Sequence, residues 1–276
     1  MESILLLKLL LVPTLIGAIT LAGRRWGPAL AGWLSGFPVF AGPVLLIIAI
    51  EQGAYFTGIA AWGALGSVPG NTLFCLAYAW CAMRCPWWLC LPAALLAYIG
   101  TEYFIISMAL PTPVLYLLTL AALWISARLF PNIGIAVRVA PPLWPELFIR
   151  MVAGAALVMI ITFSAEKLGP QLSGLLSAVP LLATILAVFS QATLGPSAAI
   201  YLLRGMVGGF YALATFCFVL TFAVTRSSIG LAFIVALISA IAAQFFSLKL
   251  RPARYHDSRS PRGDISVSEK CVPKLP

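Results

Sequence analysis

Gly27-Pro28-Ala29-Leu30-Ala31-Gly32-Trp33-Leu34-Ser35-Gly36-Phe37-Pro38 has a counterpart 142 positions further on, Gly169-Pro170-Gln171-Leu172-Ser173-Gly174-Leu175-Leu176-Ser177-Ala178-Val179-Pro180. The shared pattern is G-P-x-L-x-G-x-L-S-x-x-P. The register runs without a gap from Lys8/Arg150 to Phe104/Phe246, and 22 of those 97 pairs are identical. That total is modest for apolar sequence, so the weight falls on the dense block and on further pairs in step: Gly53/Gly195, Gly63/Gly205, Gly66/Gly208, Phe74-Cys75/Phe216-Cys217 and Arg84/Arg226. A fixed offset of this kind marks an internal duplication.

The chain around the block is apolar throughout. Of its 276 residues 62% are hydrophobic and 9% charged, where a soluble domain carries roughly 25% charged residues. One globular core has no room for that surplus, so a soluble enzyme, a nucleic-acid reader and a disordered protein are disfavoured. The net charge of +9 is misleading, because ten of the 25 charged residues lie from Lys249 to the C-terminus. A basic tail after a span marks the cytoplasmic side or touches anionic lipid. No recognition motif accompanies it, and no nucleic-acid partner is expected.

About 20 apolar residues cross a bilayer. Nine candidate spans follow: 3–22, 28–50, 54–83, 86–109, 113–130, 147–165, 170–192, 196–224 and 228–248. The organisation expected is a first membrane repeat over 1–110, a linking span and Pro-rich loop over 111–146, a second repeat over 147–248 and a basic, disordered cytoplasmic tail over 249–276. The first span lacks a basic stretch ahead of it and reads as retained rather than cleaved. Nine crossings gather Arg24, Arg25, Arg84, Arg128, Arg138, Arg150 and the tail on one side. The positive-inside rule then sets the tail in the cytoplasm and the N-terminus outside. Five spans precede the second copy, so the copy enters the membrane from the opposite face. The fold expected is an all-α polytopic membrane bundle with an inverted four-plus-four helix repeat. Many secondary transporters are built this way, with the substrate site near the midplane between the halves.

Pro38 and Pro180 each stand eleventh in a 23-residue span, near mid-membrane. A proline there removes a helix hydrogen bond, and the freed carbonyl needs a partner inside protein. Ser35 and Ser177, three residues earlier, carry hydroxyls suited to it. Two readings stand: broken helices that line a polar site, with Phe37 beside it, or kinked helices packed through Gly32, Gly36 and Gly174. The third span reads W-G-A-L-G-S-V-P-G-N-T over 62–72, and Asn71 is a lining residue or an interhelical hydrogen bonder. Glu102, whose counterpart is Gln244, is a proton or cation site by default, or an interfacial acid if its span ends early. Arg204 snorkels to the interface or meets an anion. Lys8 and Arg150, at the starts of two spans, read as interface anchors.

Catalytic and metal chemistry find no support. Cys81 and Cys85 have no third and fourth ligand, and the single histidine, His256, sits in the tail. No nucleophile elbow, phosphate loop or paired carboxylates occur. No metal or other cofactor is expected, nor an enzyme.

The block A-G-W-L-S-G-F-P-V-F-A-G-P-V-L over 31–45 resembles the small bacterial inner-membrane proteins of the GlpM type, which are about one repeat long and have four spans. The likeness covers 8–104 and again 150–246, so the chain resembles a fused double copy. The second copy departs from the motif, with Val179-Pro180 in place of Phe37-Pro38. The resemblance implies a multi-pass protein of the bacterial inner membrane and carries little chemistry.

The expectation is a small-solute transporter or exporter working by alternating access, with the bilayer and a small molecule or ion as partners. Its site would comprise Ser35, Phe37, Pro38, Asn71, Glu102, Ser177, Pro180, Arg204 and Gln244. A homodimer is compatible with the sequence. The competing function is a non-transporting assembly or accessory partner of an envelope complex.

Overall fold

The computed structural model describes residues 2–133, 144–167 and 180–249. Every regular element among them is a helix: α1 (Glu2–Trp26), α2 (Pro28–Ser35), α3 (Ala41–Ala82), α4 (Trp87–Met108), α5 (Thr112–Leu129), α6 (Trp144–Lys167), α7 (Leu181–Leu194), α8 (Pro196–Ala223) and α9 (Ile229–Lys249). Five of these, α3, α4, α5, α8 and α9, are long and apolar enough to cross a membrane. Their outer faces carry Leu96, Tyr103, Ile238 and Phe245, all exposed. These apolar helices fit an integral membrane protein.

The segment expected as one span over 28–50 is broken. Helix α2 ends at Ser35, the chain turns through Gly36–Phe40, and α3 starts at Ala41. The Leu34 carbonyl, which Pro38 deprives of its helical donor, accepts from the Phe37 N–H at 3.2 Å. Ser35 does not perform that task, since its hydroxyl donates to the Gly32 carbonyl at 2.7 Å. The Pro38 carbonyl then accepts from Gly42 and opens the new helix. Ser177 lies outside the described residues.

Helix α3 is two arms in one. At Gly53 the backbone turns to φ 84°, ψ 174°, and at Gly195, between α7 and α8, to φ 90°, ψ 172°. Only glycine adopts such angles without strain. The two arms of α3 therefore have the layout of α7 followed by α8. Helix starts also recur 142 residues apart, at Trp87 and Ile229.

Helices α1 and α6 run antiparallel. Arg24 is paired with Glu146. Further along, a Cβ on Gly17 would lie 3.3 Å from the Met151 sulfur, and one on Gly154 would lie 3.6 Å from a Val12 methyl. The start of the second arm of α3 meets the end of α8, where a Cβ on Gly58 would sit 3.5 Å from the Thr221 carbonyl oxygen.

Helix α2 is seated on α8 backbone to backbone. Gly32 faces the Leu202 carbonyl, Gly205 the Ala29 carbonyl and Gly209 the Trp33 carbonyl. A Cβ on Gly36 would lie 2.7 Å from Gly209 Cα. Glycines four apart on both helices remove the side chains that would hold the axes apart. Helix α5 closes the bundle against α3 and α8, with Tyr116 stacked on Phe218 and hydrogen-bonded to Thr215 at 3.0 Å.

Candidate functional site

Breaking a helix in mid-bundle leaves space beside the break. A cavity of about 400 Å³ lies where the Gly36–Phe40 turn, the second arm of α3, the start of α7 and the face of α8 converge. Ligand pockets commonly have volumes of about 300–1,000 Å³. Ser35, Phe37, Asn71 and Pro180, all expected from the sequence, border it. Pro38 is buried beside the turn and is not among the lining residues.

Several lining residues are counterparts at the same offset of 142: Phe40 and Leu182, Ala41 and Ala183, Ala64 and Met206, Asn71 and Leu213. The cavity thus draws on the same positions of both halves. Its chemistry is not equal in the two, because Asn71 faces a leucine at the matching place.

Gly63, Ser67 and Asn71 follow one another at four-residue steps, which sets them on one face of α3. All three border the cavity. Ser67 was missed in the sequence, although the spacing to Asn71 carried the signal. Its hydroxyl donates to the Ala64 carbonyl at 2.9 Å. Asn71 Oδ1 is buried and has no hydrogen-bond partner among the described residues.

Glu102 is buried inside the protein, with 6% of its surface exposed. It stands behind the cavity wall rather than on it. A Cβ on Gly70 would lie 2.6 Å from Glu102 Oε1, so glycine is what admits the carboxyl there. Its Oε1 has no hydrogen-bond partner among the described residues. The acid therefore touches the Pro69-Gly70-Asn71 turn of α3, one residue from the cavity.

Gln244, the counterpart of Glu102, is a packing group. With its amide turned to satisfy both neighbours, Nε2 donates to the Gly209 carbonyl at 3.1 Å and Oε1 accepts from Trp33 Nε1 at 2.8 Å. Arg204 is partly exposed on α8 and does not border the cavity.

No family model, curated protein or solved structure matches the chain.

A charged cluster that the sequence did not reveal lies at the far end of α1. Glu146 accepts from Arg24 and from Arg150 Nε at 3.0 Å, and Arg150 also donates to Thr193 at 3.0 Å. Arg150 is 3% exposed. It is a buried tie between α6 and α7. The i, i+4 spacing of Glu146 and Arg150 was the available signal. The side chain of Lys8 lies outside what is described.

The arrangement can hold a small molecule. The cavity wall offers two hydroxyls, one amide and aromatic surface. A single acid stands one residue behind it.

Proposed function

We propose that the protein is a small-solute transporter or exporter that works by alternating access between two inverted repeats. The observation that carries this reading is the cavity of about 400 Å³ bordered by Ser35 and Phe37 at the broken segment between α2 and α3, and by Pro180, the sequence counterpart of Pro38. The antiparallel run of α1 and α6, which hold counterpart positions at the offset of 142, supports an inverted relation. The equal backbone breaks at Gly53 and Gly195 support a duplicated one. Halves related in this way can exchange conformations and turn a central site from one face to the other.

The reading counts nine crossings, with the N-terminus outside and the basic tail in the cytoplasm of a bacterial inner membrane. In it the chain is a fused double copy of a GlpM-type unit. Glu102 serves as the coupling group. A carboxylate without a partner is costly at membrane depth, so it binds a proton or cation in one state and releases it in another.

Purified protein in vesicles, loaded with a pH-sensitive dye and given a pH gradient, tests the coupling. The expected result is solute-dependent proton movement that Glu102→Gln abolishes while the variant keeps the elution profile and melting temperature of the parent. Unchanged flux in that variant removes Glu102 from the mechanism. Absence of flux under every gradient, with one stoichiometric membrane protein co-purifying, favours an accessory role in an envelope complex.

A further inference from the structure

The lining of the cavity narrows what the transporter carries, and this step rests on the transport reading above. No described residue on the cavity wall is charged. The polar side chains there are Ser35, Ser67 and Asn71. Both hydroxyl protons are taken by helix carbonyls, Gly32 at 2.7 Å and Ala64 at 2.9 Å, so the serines offer lone pairs only. Asn71 offers an amide. The helix start at Leu181 brings first-turn N–H groups, which lack intrahelical acceptors, whereas at the start of α3 the Gly42 N–H is taken by the Pro38 carbonyl and Pro43 has none. Phe37, Phe40 and Phe210 supply flat apolar surface.

We propose that the cavity takes an uncharged, mainly apolar organic molecule held at one or two polar atoms by Asn71 and its serine neighbours. A volume of about 400 Å³, filled at the density of a protein interior, admits on the order of 15 non-hydrogen atoms. The helix start at Leu181 favours a partial negative charge such as a carbonyl or ether oxygen. A full anion would leave water for a wall without a counter-charge, which costs more than one helix end returns. Glu102, touching Gly70 beside Asn71, adds repulsion in its ionised form. A cation gains little, because Glu102 is behind the wall and not on it.

N-phenyl-1-naphthylamine has the required size, no charge and one N–H group. Binding to protein in lipid nanodiscs is read by energy transfer from tryptophan, with empty nanodiscs subtracted. Saturable binding is expected. Displacement by 8-anilinonaphthalene-1-sulfonate, the same rings with an anionic group, and by N,N,N-trimethyl-1-naphthylammonium should each be at least tenfold weaker than self-displacement. Gly63→Leu extends into the cavity from a position where a Cβ meets nothing within 4 Å among the described residues, and Gly63→Ala, with an elution profile matching the parent, serves as the smaller control for folding. Gly63→Leu should abolish the saturable component. Tighter binding of either charged probe, or full neutral binding in Gly63→Leu, overturns the proposal. Neutral binding that persists in protein without any flux strikes the transport reading alone.

Discussion

Trp33 on α2 and Gln244 on α9 are joined by a hydrogen bond of 2.8 Å that spans 211 residues of chain. Gln244 simultaneously grips the Gly209 carbonyl on α8. The short helix α2 of the first half is thereby held by two helices of the second. Gln244→Leu removes both of these bonds, at a cost of about 1–3 kcal/mol for the pair. Trp33→Phe loses the bond to Gln244 with less disturbance of volume. Both variants should melt several degrees below the parent in detergent, and the double variant should melt close to the worse single one. Additive losses would mean that the two side chains act independently.

Gly63 and Gly205 are counterparts in sequence and opposites in surroundings. Gly205 is pressed against the Ala29 carbonyl, whereas a Cβ on Gly63 would meet nothing within 4 Å among the described residues. Gly205→Ala must push α2 away from α8, and the expected loss exceeds the roughly 1 kcal/mol that alanine returns in helix propensity. Gly63→Ala should be neutral or slightly stabilising for the same propensity. Melting temperatures measured side by side decide it. Equal behaviour of the two variants would contradict the tight seating of α2.

The offset of 142 was legible because glycine, proline and serine recur at fixed places in the sequence, and those residues are dictated by backbone geometry rather than by apolar packing. Ser35 and Pro180 were singled out for that reason, whereas Asn71 drew notice as a polar side chain in a span and Phe37 as the neighbour of Pro38. Glu102 and Gln244 were singled out because a polar group in a span is expensive, but expense does not say which side of a wall the group occupies. Gly70 decides that for Glu102, and one missing Cβ is invisible until α3 and α4 are packed together. The tie of Glu146 to Arg24 was hidden for another cause. It joins residues 122 apart in sequence, and no periodicity connects them.

Glu146 holds two guanidinium groups at once, with side-chain exposures of 7% for Arg24 and 3% for Arg150. Glu146→Gln removes the carboxylate that the two buried guanidinium groups share. Breaking a buried pair in this way costs about 3–5 kcal/mol, so the variant should lose most of its folded yield or melt far lower. Glu146→Asp keeps the charge and should recover part of the loss. Because the cluster is largely shielded, raising the salt concentration should change the parent melting temperature little. A Glu146→Gln variant as stable as the parent would show that water, not the carboxylate, compensates the arginines.

Met83 and Thr225 are counterparts at the offset of 142, both exposed and each beside one of the paired arginines, Arg84 and Arg226. An inverted repeat carries the two positions to opposite faces of the membrane, while a parallel repeat carries them to the same face. Met83→Cys and Thr225→Cys, each introduced singly into a chain whose native cysteines are replaced by alanine or serine, separate these cases. Intact spheroplasts are treated with a membrane-impermeant maleimide before and after permeabilisation. With the tail in the cytoplasm and nine crossings, Thr225→Cys should label in intact spheroplasts and Met83→Cys only after permeabilisation. Labelling of both from one side would remove the inverted repeat and, with it, the reason for expecting the central cavity to open alternately to the two faces.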